Sequence, residues 1–195
     1  LIAQAPAAED FPEAGAVILF VREDAEIFEN NTAERVEHCL VKILNERGKH
    51  LGEIEIGYDS TYEKVNVEFA RTITPSGEVV SVGSKHIRDV SRYLNFPLYS
   101  NARARIISMP EVTVGAFLEY KVKVSQNKMV AGNQFDTSYL LQSDNPIAHA
   151  ELYLKMPKER ALKQAVLNGD FAKDKKIFQP AVAQSEGKTL YSWTF

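Results

Sequence analysis

Cys39 is the chain's only thiol and so its only candidate for thiolate chemistry. A working thiolate is made at a helix N-terminus or beside a base. The neighbours Leu40 and Val41 instead place Cys39 in the middle of an apolar strand, so a core position is expected. The histidines His38, His50, His86 and His149 are scattered, with no i, i+2 or i, i+4 pairing and no second cysteine nearby. A zinc site needs convergent ligands, and no metal site is expected. Asp59, Asp136 and Asp144 each adjoin turn residues, where calcium binding and turn formation both use an acid, turn formation more commonly. The glycines are dispersed and none forms a phosphate-cradling loop after a strand. No catalytic residue and no cofactor is assigned.

Two features depart from the pattern around them. Arg71 falls on the apolar face suggested by Val65, Val67, Phe69 and Ile73. It marks either a bulge that resets the alternation or an internal pair, and the bulge is the favoured reading. The stretch from Arg92 to Tyr99 packs Tyr93, Phe96, Leu98 and Tyr99 into a region without periodicity. It reads either as a loop folded over the end of the domain or as a docking patch, since clustered aromatic residues mark interfaces.

The elements that would position these residues are mostly strands. Ala16 to Val21 is a continuous apolar run suited to a strand covered on both faces. Asn30-Asn31 makes a hairpin turn, because asparagine tolerates left-handed backbone. A return strand runs from about Glu34 to Leu44. The organising unit is Tyr58 to Val82, in which a strand of period two is broken by Pro75-Ser76-Gly77 and followed by a second apolar run. Further strands are expected at Arg105–Met109, Ala116–Val124, Asn133–Gln142, Ile147–Met156, Lys175–Gln179 and Thr189–Phe195. In Ala116–Val124, Leu118, Tyr120 and Val122 face opposite to Glu119, Lys121 and Lys123. Residues 158–166 have high helix propensity. Asn168-Gly169 is nevertheless a hairpin signal, so a strand is expected from Leu162 to Leu167. Strands at such spacings predict an all-β fold, a two-layer antiparallel β-sandwich with long loops and little helix.

The totals fit that class. The 195 residues allow one domain with a large core, and 45% hydrophobic against 25% charged residues argues against disorder. The 23 Lys and Arg against 26 Asp and Glu give a net charge of −3 without a like-charge block, which makes nucleic acid or an anionic membrane a poor partner. No apolar run approaches the roughly 20 residues needed to cross a bilayer. Residues 1–15 read as a leader: either the tail of a signal peptide with a small-x-small site at Ala3-Gln4-Ala5, or an Ala-rich flexible arm. Residues 16–195 form the domain.

Four motifs occur in order: VKILNERG at 41–48, IGYDSTYEKVNVEFARTITPSGEVV at 56–80, PLYSNARARIISMPEVTVGAFLEYKV at 97–122 and YLLQSDNPIAHAELYLKMP at 139–157. Together they resemble the bacterial domain of unknown function that precedes a transglutaminase-like (papain-fold) domain in exported proteins. Asn101 is one departure, standing where the resemblance leads one to expect an acid. The resemblance implies a non-catalytic accessory domain with its Cys, His and Asp chemistry downstream of Phe195. It also implies a periplasmic or extracellular location, and that downstream domain, with a protein or peptide substrate, as partner. The alternative is a free-standing binding module for glycan or peptide.

Overall fold

Alternation in the sequence becomes two packed sheets. The computed structural model describes residues 2–92, 101–129 and 134–195. Its strands are β1 (Ala16–Ile27), β2 (Ala33–Ile43), β3 (Glu53–Asp59), β4 (Glu63–Ile73), β5 (Val79–Ser81), β6 (Ile87–Ser91), β7 (Ala102–Ser108), β8 (Phe117–Gln126), β9 (Ala150–Pro157), β10 (Ala181–Ser185) and β11 (Lys188–Thr194). The large sheet has the order β10-β11-β9-β1-β2-β8-β4-β5, and the small one β3-β7-β6. This is the expected all-β sandwich. Every neighbouring pair is antiparallel except β1 and β9, which run parallel from Val21↔Ala150 to Glu26↔Lys155.

The hairpin between β1 and β2 closes where the asparagines predict it, with Asn31 at φ 61°. Between the sheets lies a core built on Ile43, Ile107, Leu118 and Val122, each 2% exposed or less. Burying each such side chain contributes about 1.5–3 kcal/mol. A second core beside it joins Ala25, Ile27, Leu152, Leu154 and Trp193. Val17, Leu19, Leu40 and Phe117 face the opposite side of the large sheet, where Ala5, Ala8 and Phe11 pack on them. The AVILFV run is thus covered on both faces, as its composition requires.

Strand β4 carries a bulge. Its pairing with β8 shifts register between Val67 and Phe69, so Glu68 is the extra residue and every later side chain changes face. Val65, Ala70 and Thr72 are buried toward the core. Phe69, Arg71 and Ile73 turn to the far side, which corrects the expectation that Phe69 and Ile73 share a face with Val65.

Three expected strands do not form. Residues 135–142 are extended and alternate, with Phe135, Thr137, Tyr139 and Leu141 half-buried and the residues between them exposed. Among the described residues, however, no backbone hydrogen bond ties them to a strand. They form a strap laid over the sheet. Residues 161–166 are irregular and mostly exposed, with Leu162 half-buried against the second core, because helix propensity over so short a segment does not offset the cost of nucleating a helix. Asn168 does adopt the left-handed conformation, but it leads into a 3-10 turn at Gly169–Phe171 rather than a hairpin. Lys175–Phe178 is likewise a 3-10 turn, capped where the Asp174 side chain accepts from the Lys176 N–H. The hairpin that sequence reading missed is β10–β11. It turns at Glu186-Gly187, where both residues have positive φ, as a two-residue hairpin of the favoured hand requires.

Candidate functional site

Two groups of side chains stand out, one on each face of the large sheet. On the face away from the small sheet, β4, β2 and β1 and the residue before β9 contribute a row of rings. Phe69 meets His38 edge-on at 5.7 Å, His38 meets Phe20 edge-on at 5.5 Å, and Phe20 stacks with His149 at 6.0 Å. Each histidine also meets a carboxylate, His38 Nε2 with Glu119 at 2.9 Å and His149 Nε2 with Glu151 at 3.0 Å. Arg71 donates to the second oxygen of Glu119 at 2.7 Å. Burial pushes the Glu119 pKa up, but the hydrogen bonds from His38 and Arg71 outweigh it, and the net direction is down. Arg22 stacks on the Tyr153 ring at 4.3 Å and pairs with Asp24. A shallow hollow of about 320 Å³ lies alongside, between Asp24, Glu34, Tyr153 and Lys155. Half-buried rings bordered by paired charges make a surface suited to contact.

The bulge at Glu68 creates this row by turning Phe69 and Arg71 outward. Arg71 therefore follows the favoured bulge reading, and its pair with Glu119 lies on the outer face rather than inside. His38 and His149, scattered in the sequence, flank one ring.

The second group lies on the covered face, at the seam between the two cores. Glu23 is 8% exposed. It stands opposite Glu37 of β2, with the Arg35 guanidinium 3.6 Å away. Burial, partly offset by Arg35, pushes the Glu23 carboxyl up to about 7. Glu37 accepts from the Tyr120 hydroxyl at 2.6 Å. Tyr139 and Thr137 reach the same place from the strap, and burial pushes the Tyr139 hydroxyl well above the ordinary phenol range. Cys39, 4% exposed, lies opposite Tyr120 on this face. Burial first, and the charge of Glu37 second, push its thiol up to about 12. The thiol form therefore dominates at neutral pH, as a core position predicts. Sequence reading overlooked Glu23, although it interrupts the period-two apolar row of Val21, Ala25 and Ile27.

The remaining candidates are placed individually. The Asp59 side chain accepts from the Thr61 N–H at 2.8 Å, which is turn chemistry. His50 contacts the Arg47 carbonyl at 2.6 Å within a 3-10 turn, and His86 ends another. Asp136 and Asp144 are exposed. Among the described residues no three His, Cys, Asp or Glu side chains converge as a metal site would require, and no helix is long and apolar enough to cross a membrane. Tyr93, Phe96, Leu98 and Tyr99, the expected docking patch, lie outside the described residues.

No curated protein sequence matches this chain. A candidate protease from Parabacteroides distasonis, solved at 2.00 Å, has the same fold with a TM-score of 0.79 at 13% identity. The match covers 93% of this chain and 35% of that one, so the chain spans about a third of its length. An M1 zinc metallopeptidase from Deinococcus radiodurans matches over 92% of this chain and 39% of its own, with a TM-score of only 0.45 at 11% identity. The sequence pattern of DUF3857, a domain of unknown function with a solved structure, matches residues 29–195, and the chain belongs to that family.

Proposed function

We propose that this domain is a non-catalytic accessory module of a longer exported, periplasmic or extracellular protein. In this reading it positions or shields a downstream transglutaminase-like domain, or that domain's protein or peptide substrate. The observation that carries the reading is the recurrence of the fold as about a third of a longer chain, a candidate protease. The ring-bearing face supports it, because contacts between domains of one chain rest on a few aromatic anchors. Phe20, Phe69 and Tyr153 are such anchors, half-buried on strands that the core holds in place.

The reading frame beyond Phe195 is the first test. A following domain with Cys, His and Asp supports the proposal, and its absence favours a free-standing binding module for glycan or peptide. In the two-domain protein, Phe69→Ala with Tyr153→Ala should loosen the domains in small-angle scattering while the melting temperature of this domain stays unchanged. Tyr93→Ala, Phe96→Ala and Tyr99→Ala test the second patch in the same way. If neither set changes the two-domain envelope, these surfaces do not dock the neighbour.

A further inference from the structure

The seam between the two cores holds three buried polar atoms with no hydrogen-bond partner among the described residues: Glu23 Oε1, Thr137 Oγ1 and the Tyr139 hydroxyl. One belongs to β1 and two to the strap above it. A buried polar atom left unpaired costs about 1–3 kcal/mol, so this is where the strap is least secure. A protonated carboxyl suits such a place, because it can both donate and accept. An ionised one can only accept, and its surroundings oppose it. Glu37 of β2 faces it with the same charge, Asp24 adds another, β9 presents the apolar Leu152, and Arg35 at 3.6 Å is the counter-charge. Tyr120 and Cys39 on this face, and Tyr139 of the flap, are held neutral at physiological pH by burial.

We propose that residues 135–142 form a pH-responsive flap, which lies on the sheet while Glu23 keeps its proton and lifts when that proton passes to solvent. The flap's construction makes lifting local. No backbone hydrogen bond holds it to a strand among the described residues. Phe135 and Tyr139 anchor it on the second core, while its outer row, with Leu140 at 84% exposure, contributes no burial. Segments attached by few buried contacts open with far less free energy than the core strands. Ionisation supplies the drive, since water admitted beneath the flap solvates the carboxylate. With the Glu23 carboxyl at about 7, the change falls near neutrality. Lifting uncovers the cluster that contains Trp193, the chain's only tryptophan.

The test is hydroxyl-radical labelling of the Phe135 and Tyr139 rings in the whole chain at about pH 5.5 and about pH 8.5, beside the emission of Trp193. Labelling of both rings should be several-fold faster at the higher pH, with a red shift of Trp193, while Met109 in the first core stays protected. Both responses should vanish in Glu23→Gln. Tyr139→Phe keeps the ring and should move the midpoint to higher pH, because the neighbouring hydroxyl dipole, without a formed hydrogen bond, still favours the ionised carboxylate; this variant decides the matter if Glu23→Gln does not fold. Equal labelling at both pH values, a response that survives in Glu23→Gln, or a midpoint unmoved in Tyr139→Phe overturns the proposal.

Discussion

Glu23 and Glu37 stand directly opposite each other across β1 and β2, on the face that the small sheet and the strap cover. Like charges in that relationship repel. The pair is tolerated because its members are served differently: Glu37 takes the Tyr120 hydroxyl at 2.6 Å, while Glu23 is pushed up to about 7.

That rise makes stability depend on pH in a definite direction. Below the ordinary value of 4.5, Glu23 is protonated in both folded and unfolded chains and exerts no effect. Between 4.5 and about 7 the unfolded chain releases the proton and the folded chain keeps it, so stability falls as pH rises. Above that window the loss is complete, at most about 3 kcal/mol at 1.36 kcal/mol per unit. Glu23→Gln should therefore raise stability at pH 8 and have little effect at pH 4, measured by urea unfolding at both.

Glu119 behaves oppositely, because its folded pKa is lowered. Its contribution is present above 4.5 and is lost as pH falls through the folded value. Glu119 is partly solvent-exposed, so Glu119→Gln should cost about 1 kcal/mol at pH 7. The difference from the native chain should vanish at acid pH.

Cys39 should react with a thiol reagent only when the chain unfolds, at a rate set by opening rather than by the reagent. Rapid labelling of the native protein contradicts the buried position. Cys39→Ser places a hydroxyl in an apolar site and should cost about 1–3 kcal/mol.

Gly48 and Gly15 pass so closely that a Cβ on Gly48 would overlap the Gly15 carbonyl oxygen. The contact is backbone to backbone, so neither side can swing away. Gly48→Ala should cost about 2–3 kcal/mol, read as a lowered melting temperature.

Much of this was legible in the sequence. The alternation of β4 and β8, the apolar run of β1 and the Asn30-Asn31 turn all report local geometry, which residue types encode directly. Arg71 announced the bulge, though not that Phe69 would turn outward with it. Alternation reports which way side chains point and not whether a neighbouring strand accepts the backbone, so 135–142 reads as a strand and forms a strap. The meeting of His38 and His149 at Phe20 depends on which strands become neighbours, and no local pattern carries that. Glu23 was visible as an acid among Val21, Ala25 and Ile27 and was passed over.

The parallel pairing of β1 with β9 has a consequence for how the chain comes to be folded. Val21 finds its partner at Ala150, and closing a loop of that size costs about 4 kcal/mol of chain entropy. Until residue 150 has been made, one side of β1 has its donors and acceptors open. A growing chain therefore presents an unpaired strand edge, apolar over Ala16–Val21 and charged beyond it, and open edges can template aggregation. Folding of this domain should be slow and should depend on completion of the last quarter of the chain.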